Sequence, residues 1–276
     1  MGHVTFLFRN FFTHKDFLPA AAEIPGTIYT PLHWVISMLL LALVVGLAVA
    51  LGRRRDERLV RRVLLGIWIC TLVLEPTKIL WETYSGKEVS LEVGGVLPLY
   101  PCSVFMLALP LIIFGGRRAR LAGSGYLCTI GLLGAAINFF YPINVLNNYS
   151  CLSFAGMHTL LYHGAMLFSC LLLLVSGYHR YSHAHTISEC FLPSVPLLLW
   201  SIPANIINYS PVGSDYMFFK CNSFFLPAIF GDTPDVVTTL LAYLMYAFLP
   251  ALFYLIPYLF HHAAKRREST AAASSI

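Results

Sequence analysis

Residues 32–51 read LHWVISMLLLALVVGLAVAL, and residues 52–62 read GRRRDERLVRR. The first stretch is apolar and uncharged; the second carries six arginines in eleven positions. A helix rises about 1.5 Å per residue, so roughly twenty apolar residues match a hydrocarbon core of about 30 Å. Arginine-rich loops stay on the cytoplasmic side of a membrane. The pair therefore reads as a membrane-spanning helix entering from outside and anchored at its inner end. Six further segments of similar character follow, at about 62–84, 97–115, 121–141, 152–177, 188–209 and 236–260.

Composition agrees with this reading. The chain has 276 residues, 58% hydrophobic and 11% charged, with a mean hydropathy of +0.71. Soluble domains carry about 25% charged residues. The net charge of +5 follows from topology and calls for no nucleic-acid partner. Thirteen Lys and Arg fall in the alternate loops that share a side with the first arginine cluster, against four (Arg9, Lys15, Lys87 and Lys220) on the other. The expected fold is all-α: a polytopic bundle of seven transmembrane helices, N-terminus outside and C-terminus cytoplasmic. Residues 1–31 form an N-terminal interfacial segment, 32–261 the transmembrane domain, and 262–276 a basic and then disordered tail. The cell membrane or an endomembrane is the expected location.

The seven cysteines are scattered singly, with no CxxC and no metal-ligand spacing, so neither a disulfide framework nor a zinc site is expected. No metal or cofactor is required. The start of the chain lacks the apolar core of a signal peptide and the Ser or Thr of a myristoylation site. Residues 210–235 are aromatic and predict an interfacial or re-entrant lid. Pro193, Pro196 and Pro203 predict a kinked sixth segment.

Polar side chains inside apolar segments are costly and mark candidate sites. Here they are Glu75, Lys78, Cys102, Asn138, His158, His163, Asn205 and Asn208, and segment geometry puts nearly all of them toward the outer half of the bilayer. Glu75 and Lys78, three residues apart, are expected to pair with each other. Cys102 lies in LPLYPCS (97–103), just beyond a first turn opened by Pro98. Segment five contains MHTLLYHGAML (157–167). Its His158 and His163 diverge by about 140° around a helix, with Tyr162 on the His158 face. A Cys and a His in one cavity are the minimal nucleophile and base for acyl transfer. Depth along the segments favours His158 as the partner of Cys102.

At these residues the chain resembles the YwaF-like family of integral membrane proteins, related to transmembrane protein 164. The resemblance runs through Glu75, Lys78 and Trp81, LPLYPCS, the Pro142 turn, the YHG of 162–164 and the DYMFF of 215–219. It departs in the Tyr-Pro before Cys102, where relatives carry a His, and in Asp215, where Asn is usual. The resemblance implies a lipid acyltransferase that moves a fatty acyl chain between phospholipid and lysophospholipid through an acyl-cysteine. It implies Cys102 as nucleophile and His163 as base, with His158 the runner-up. Glu75, Lys78, Asn138, Asn205, Asn208 and Tyr162 would bind substrate or support the site. The alternative is a non-catalytic transporter or lipid-binding membrane protein.

Overall fold

A computed structural model describes residues 3–87, 97–182, 185–210, 214–221 and 226–274. Among these the chain is helical, with no strand. Helix α1 (His3–Arg9) is followed by a strap that leads to α2 (Pro31–Gly52). Thr30 caps α2 by accepting from the His33 amide, and Pro31 takes the first-turn position, where its missing N–H costs nothing. Asp56 opens α3 (Glu57–Ser85) by accepting from the Arg58 and Leu59 amides at 2.8 and 3.2 Å. A 3-10 turn, Pro101–Val104, leads into α4 (Phe105–Phe114). Then come α5 (Arg117–Tyr126), a π turn at Leu127–Gly131 and α6 (Leu132–Phe140), continuous as one span.

Short α7 (Ile143–Leu146) precedes α8 (Phe154–Ser176), capped by Ser153 and ended by the left-handed Gly177. The sixth segment is broken, as its prolines predict, into α9 (Ile187–Cys190), a 3-10 turn at Leu192–Ser194 and α10 (Val195–Asn208). Last are α11 (Leu226–Phe230) and α12 (Asp235–Ser274). Helix α12 remains helical to Ser274, through the residues expected to form a disordered tail. Among the described residues six helices are long and apolar enough to cross a membrane, and Pro101–Phe114 is a shorter apolar helix.

The bundle is organised around α8, the most deeply buried span. It packs against α2, α3 and α6. Contact with α2 is close at Gly52, where an added Cβ would stand 2.8 Å from the Val175 side chain. On the other side α4, α5 and α10 enclose a core of Phe105, Leu109, Ile112, Tyr126 and Leu197.

The N-terminal strap is part of this assembly. The Phe154 amide donates to the Phe11 carbonyl at 2.8 Å, the Ile28 amide to the Leu146 carbonyl and the Cys151 amide to the Gly26 carbonyl. Trp81 Nε1 donates to the Phe12 carbonyl at 3.0 Å. Residues 11–28 thus lie across the ends of α3 and α8, held by backbone groups and covered by the rings of Phe12, Trp81, Tyr149 and Phe154.

Candidate functional site

Under that strap, α3 and α8 face each other with their polar residues. Glu75 Oε2 stands 3.1 Å from His158 Nε2, and the two side chains are 13% and 9% exposed. The distance is that of a charge pair, and among the described residues neither atom has a hydrogen-bond partner of good geometry. The expected Glu75–Lys78 pair is not formed. Lys78 turns one step further along α3 to Glu82, 2.9 Å away at the i,i+4 spacing. Glu75 is therefore left for the neighbouring helix. It remains within electrostatic reach of Lys78, His158, His163 and Cys102.

His163 makes a different contact. Its Nδ1 is 2.8 Å from the Thr159 carbonyl one turn back on α8. A carbonyl only accepts, so Nδ1 carries the hydrogen, and in the neutral ring Nε2 is left as an acceptor. Tyr162 joins the two histidines to the cysteine. Its ring stacks on His158 at 6.0 Å and meets His163 edge-on at 5.7 Å. Its hydroxyl donates to the Cys102 carbonyl at 3.5 Å.

Cys102 is the second residue of the 3-10 turn that begins at Pro101, not a residue beyond a turn begun at Pro98. Tyr100 explains the shift: a residue before proline is pushed out of the α region, and Tyr100 is extended at φ −94°, ψ 161°. The helix can start only after it. Aromatic donors from four other helices hold the carbonyls of this segment. Trp200 Nε1 binds the Pro98 oxygen at 3.0 Å, Tyr126 the Pro101 oxygen at 2.7 Å, Tyr162 that of Cys102, and Trp68 Nε1 the Met106 oxygen at 3.1 Å. Sequence reasoning missed Trp68, Tyr126 and Trp200. The available signal was their type: a Trp or Tyr buried in a span needs a partner for its polar hydrogen.

The asparagines divide. Asn208 is fully buried and committed to the DYMFF loop. Its Oδ1 accepts from the Tyr216 amide at 2.7 Å and from Ser214 at 2.8 Å, and its Nδ2 donates to the Tyr216 carbonyl at 2.8 Å. It is a structural clamp with no free amide for substrate. Asn138 and Asn205 each bury a side-chain oxygen with no hydrogen-bond partner. The DYMFF loop is not an interfacial cover: Tyr216, Met217 and Phe219 are fully buried. Tyr216 packs edge-on against Tyr100 at 5.1 Å and accepts from the Leu97 amide at 2.9 Å, so the loop braces the segment that presents Cys102. Burial raises the Tyr216 phenol, against the lowering effect of that amide bond.

The sequence profile of the TMEM164 family matches residues 28–262, which include every residue named above in this site. The chain belongs to the TMEM164 family. With its apolar helices, this membership makes it a multi-pass integral membrane protein. No curated protein and no solved structure matches it. For this member of the TMEM164 family the chemistry must be argued from the site itself. The site offers a thiol at the start of a helix, an imidazole whose Nδ1 is tied to a backbone carbonyl, and a second imidazole facing a carboxylate.

Proposed function

We propose that the protein is an integral membrane acyltransferase that moves a fatty acyl chain between phospholipids through an acyl-cysteine at Cys102. The observation that supports the reading is the tautomer of His163: with Nδ1 tied to Thr159, Nε2 is left as an acceptor on a ring packed against Tyr162, whose hydroxyl reaches the Cys102 carbonyl. Cys102 Sγ gives its proton to His163 Nε2 and attacks the ester carbonyl of a phospholipid. The tetrahedral oxyanion forms at the start of a helix, where backbone N–H groups favour negative charge. The carbon–oxygen bond breaks, a proton reaches the departing lysophospholipid oxygen, and the acyl chain remains as a thioester. A lysophospholipid hydroxyl then reverses these steps and restores the thiol. With water as acceptor the same site is a lipase.

This reading includes a seven-span topology with the N-terminus outside. Helix Pro101–Phe114, at about 1.5 Å per residue, covers roughly 21 Å. With residues 97–100 it makes the third crossing. That crossing keeps Arg117, Arg118 and Arg120 on the same side as the first arginine loop, in accord with the positive-inside rule. A lipid then reaches Cys102 laterally from the outer leaflet, under the N-terminal strap.

The test is acyl exchange by purified protein in mixed micelles containing a phospholipid with a labelled acyl chain and an unlabelled lysophospholipid. Wild type forms labelled Cys102 and labelled product; Cys102→Ala forms neither. Full exchange by Cys102→Ala refutes the mechanism and returns the protein to the lipid-binding or transport reading.

A further inference from the structure

The departing oxygen needs an acid, and the cluster contains a second imidazole that the thiol does not need. We propose a division of labour, resting on the Cys102 reading above: His163 exchanges protons with the sulfur, and His158, backed by Glu75, exchanges them with the lipid oxygens.

The two histidines are prepared for different tasks. His163 is held at Nδ1 by a backbone carbonyl, which in the neutral ring leaves Nε2 an acceptor, the state of a base awaiting a proton. His158 turns Nε2 toward a carboxylate that only accepts, so that nitrogen carries hydrogen and Nδ1 is the one left for substrate. When Nδ1 is also protonated, Glu75 balances the charge in a setting that little water reaches. A base oriented by a carboxylate on its far nitrogen is the arrangement by which an imidazole cycles between acid and base.

Position agrees. His158 lies five residues nearer the start of α8, about 7.5 Å along the helix. Its ring is beneath Phe154 and the strap, toward the headgroup level where the glycerol oxygens of a lipid lie. Tyr162 contacts both rings and the Cys102 carbonyl. Glu75 Oε2 and His158 Nε2 are buried without an aligned hydrogen bond, an arrangement that native interiors rarely leave uncompensated. A substrate oxygen at Nδ1 would turn the ring and bring Nε2–H into line with Glu75.

The proton count closes. In acylation the thiol proton goes to His163 Nε2, the sulfur–carbon bond forms and the carbon–oxygen bond breaks. The leaving oxygen takes its proton from Nδ1 of His158, which enters acylation protonated on both nitrogens against the Glu75 carboxylate and leaves it neutral. In transfer the acceptor hydroxyl returns a proton to His158 Nδ1, its oxygen bonds to the carbonyl carbon, and the released sulfur takes the proton held by His163. Each half-reaction is the other in reverse, as exchange between two lysophospholipids requires.

The experiment compares two acyl donors in single-turnover labelling of Cys102 by the full-length protein. One is a labelled phospholipid, whose alkoxide must be protonated to leave. The other is a 4-nitrophenyl ester, whose phenolate leaves unprotonated. His158→Gln and Glu75→Gln should each slow labelling from phospholipid by about 100-fold or more, while changing labelling from the nitrophenyl ester by less than about 3-fold. His163→Gln should slow both. Labelling from the nitrophenyl ester also reports that a variant's site is intact; if His158→Gln does not fold, the near-isosteric Glu75→Gln carries the comparison. Parallel loss with both donors in these variants, or an undiminished phospholipid rate, overturns the division of labour. Wild type that labels Cys102 with neither donor removes the acyl-enzyme reading itself.

Discussion

Replacing Asn208 by Leu should release the DYMFF loop from the Cys102 segment. The side chain satisfies the amide and the carbonyl of Tyr216, a fully buried residue. Leaving a buried donor or acceptor unpaired costs about 1–3 kcal/mol, so the pair costs about 2–6 kcal/mol. The loop also holds Met217, Phe218 and Cys221 at φ of 57°, 55° and 54°. Left-handed backbone costs a non-glycine residue about 1–2 kcal/mol, so the three together oppose docking by roughly 3–6 kcal/mol. The lost bonds and the stored strain are of the same size, and the docked state should no longer dominate. Amide hydrogen exchange in micelles reads this directly. Protection of the Tyr216 amide, which donates to Asn208, and of the Phe219 amide, which donates to the Tyr216 carbonyl, should fall by roughly 30-fold to 10⁴-fold, since 1.4 kcal/mol corresponds to a factor of ten. Acyl exchange should fall with it, because Tyr216 braces Tyr100 and Leu97. Unchanged protection at these amides would refute the clamp.

His179, in the turn after α8, is buried between Ser124 and Tyr254. Burial, with the nearby His185, pushes its pKa down to about 4 from 6.5. An unfolded chain binds this proton first, so stability is full above pH 6.5 and declines as pH falls toward 4, by about 2 kcal/mol at pH 5. The Tm of wild type in detergent should therefore drop between pH 7.5 and pH 5 by several degrees more than that of His179→Gln; equal drops would exclude His179 as the cause. Gly156→Ala should be strongly destabilising, because the added Cβ would stand 2.0 Å from the Ser150 carbonyl oxygen and 2.9 Å from Cys151 Cα. That is backbone it cannot displace, so a loss at or above about 3 kcal/mol, seen as lower Tm and yield, is expected. A wild-type Tm would show that the turn at 150–156 yields.

The spans were legible because their signal is local. Hydrocarbon thickness sets the length of an apolar run, and Arg53 to Arg62 mark one of its ends. The partners of the polar residues were not legible, because they depend on how helices turn about their axes. Glu75 and Lys78 sit at a spacing that allows pairing, yet Glu82 offered Lys78 a competing partner and α8 brought His158 to Glu75. The start of the Cys102 turn was misplaced by three residues because LPLYPCS contains two prolines, each able to open a helix. Tyr100 decides between them through its extended backbone. The burial of DYMFF was hidden for a related reason: aromatic residues near a membrane surface suit the headgroups and a protein core equally well. Asn208 and Tyr246, which binds the Met217 carbonyl at 2.7 Å, help to draw the loop inward.

The carbonyls around Cys102 hang from Trp200, Tyr126, Tyr162 and Trp68, one donor on each of four helices. Such a suspension averages the motions of its supports. When the surrounding bilayer thins or thickens and one helix tilts, the anchored turn shifts by only a fraction of that movement. The turn that carries Cys102 should thus keep its position in membranes of differing composition, and losing a single anchor should make the protein newly sensitive to lipid chain length.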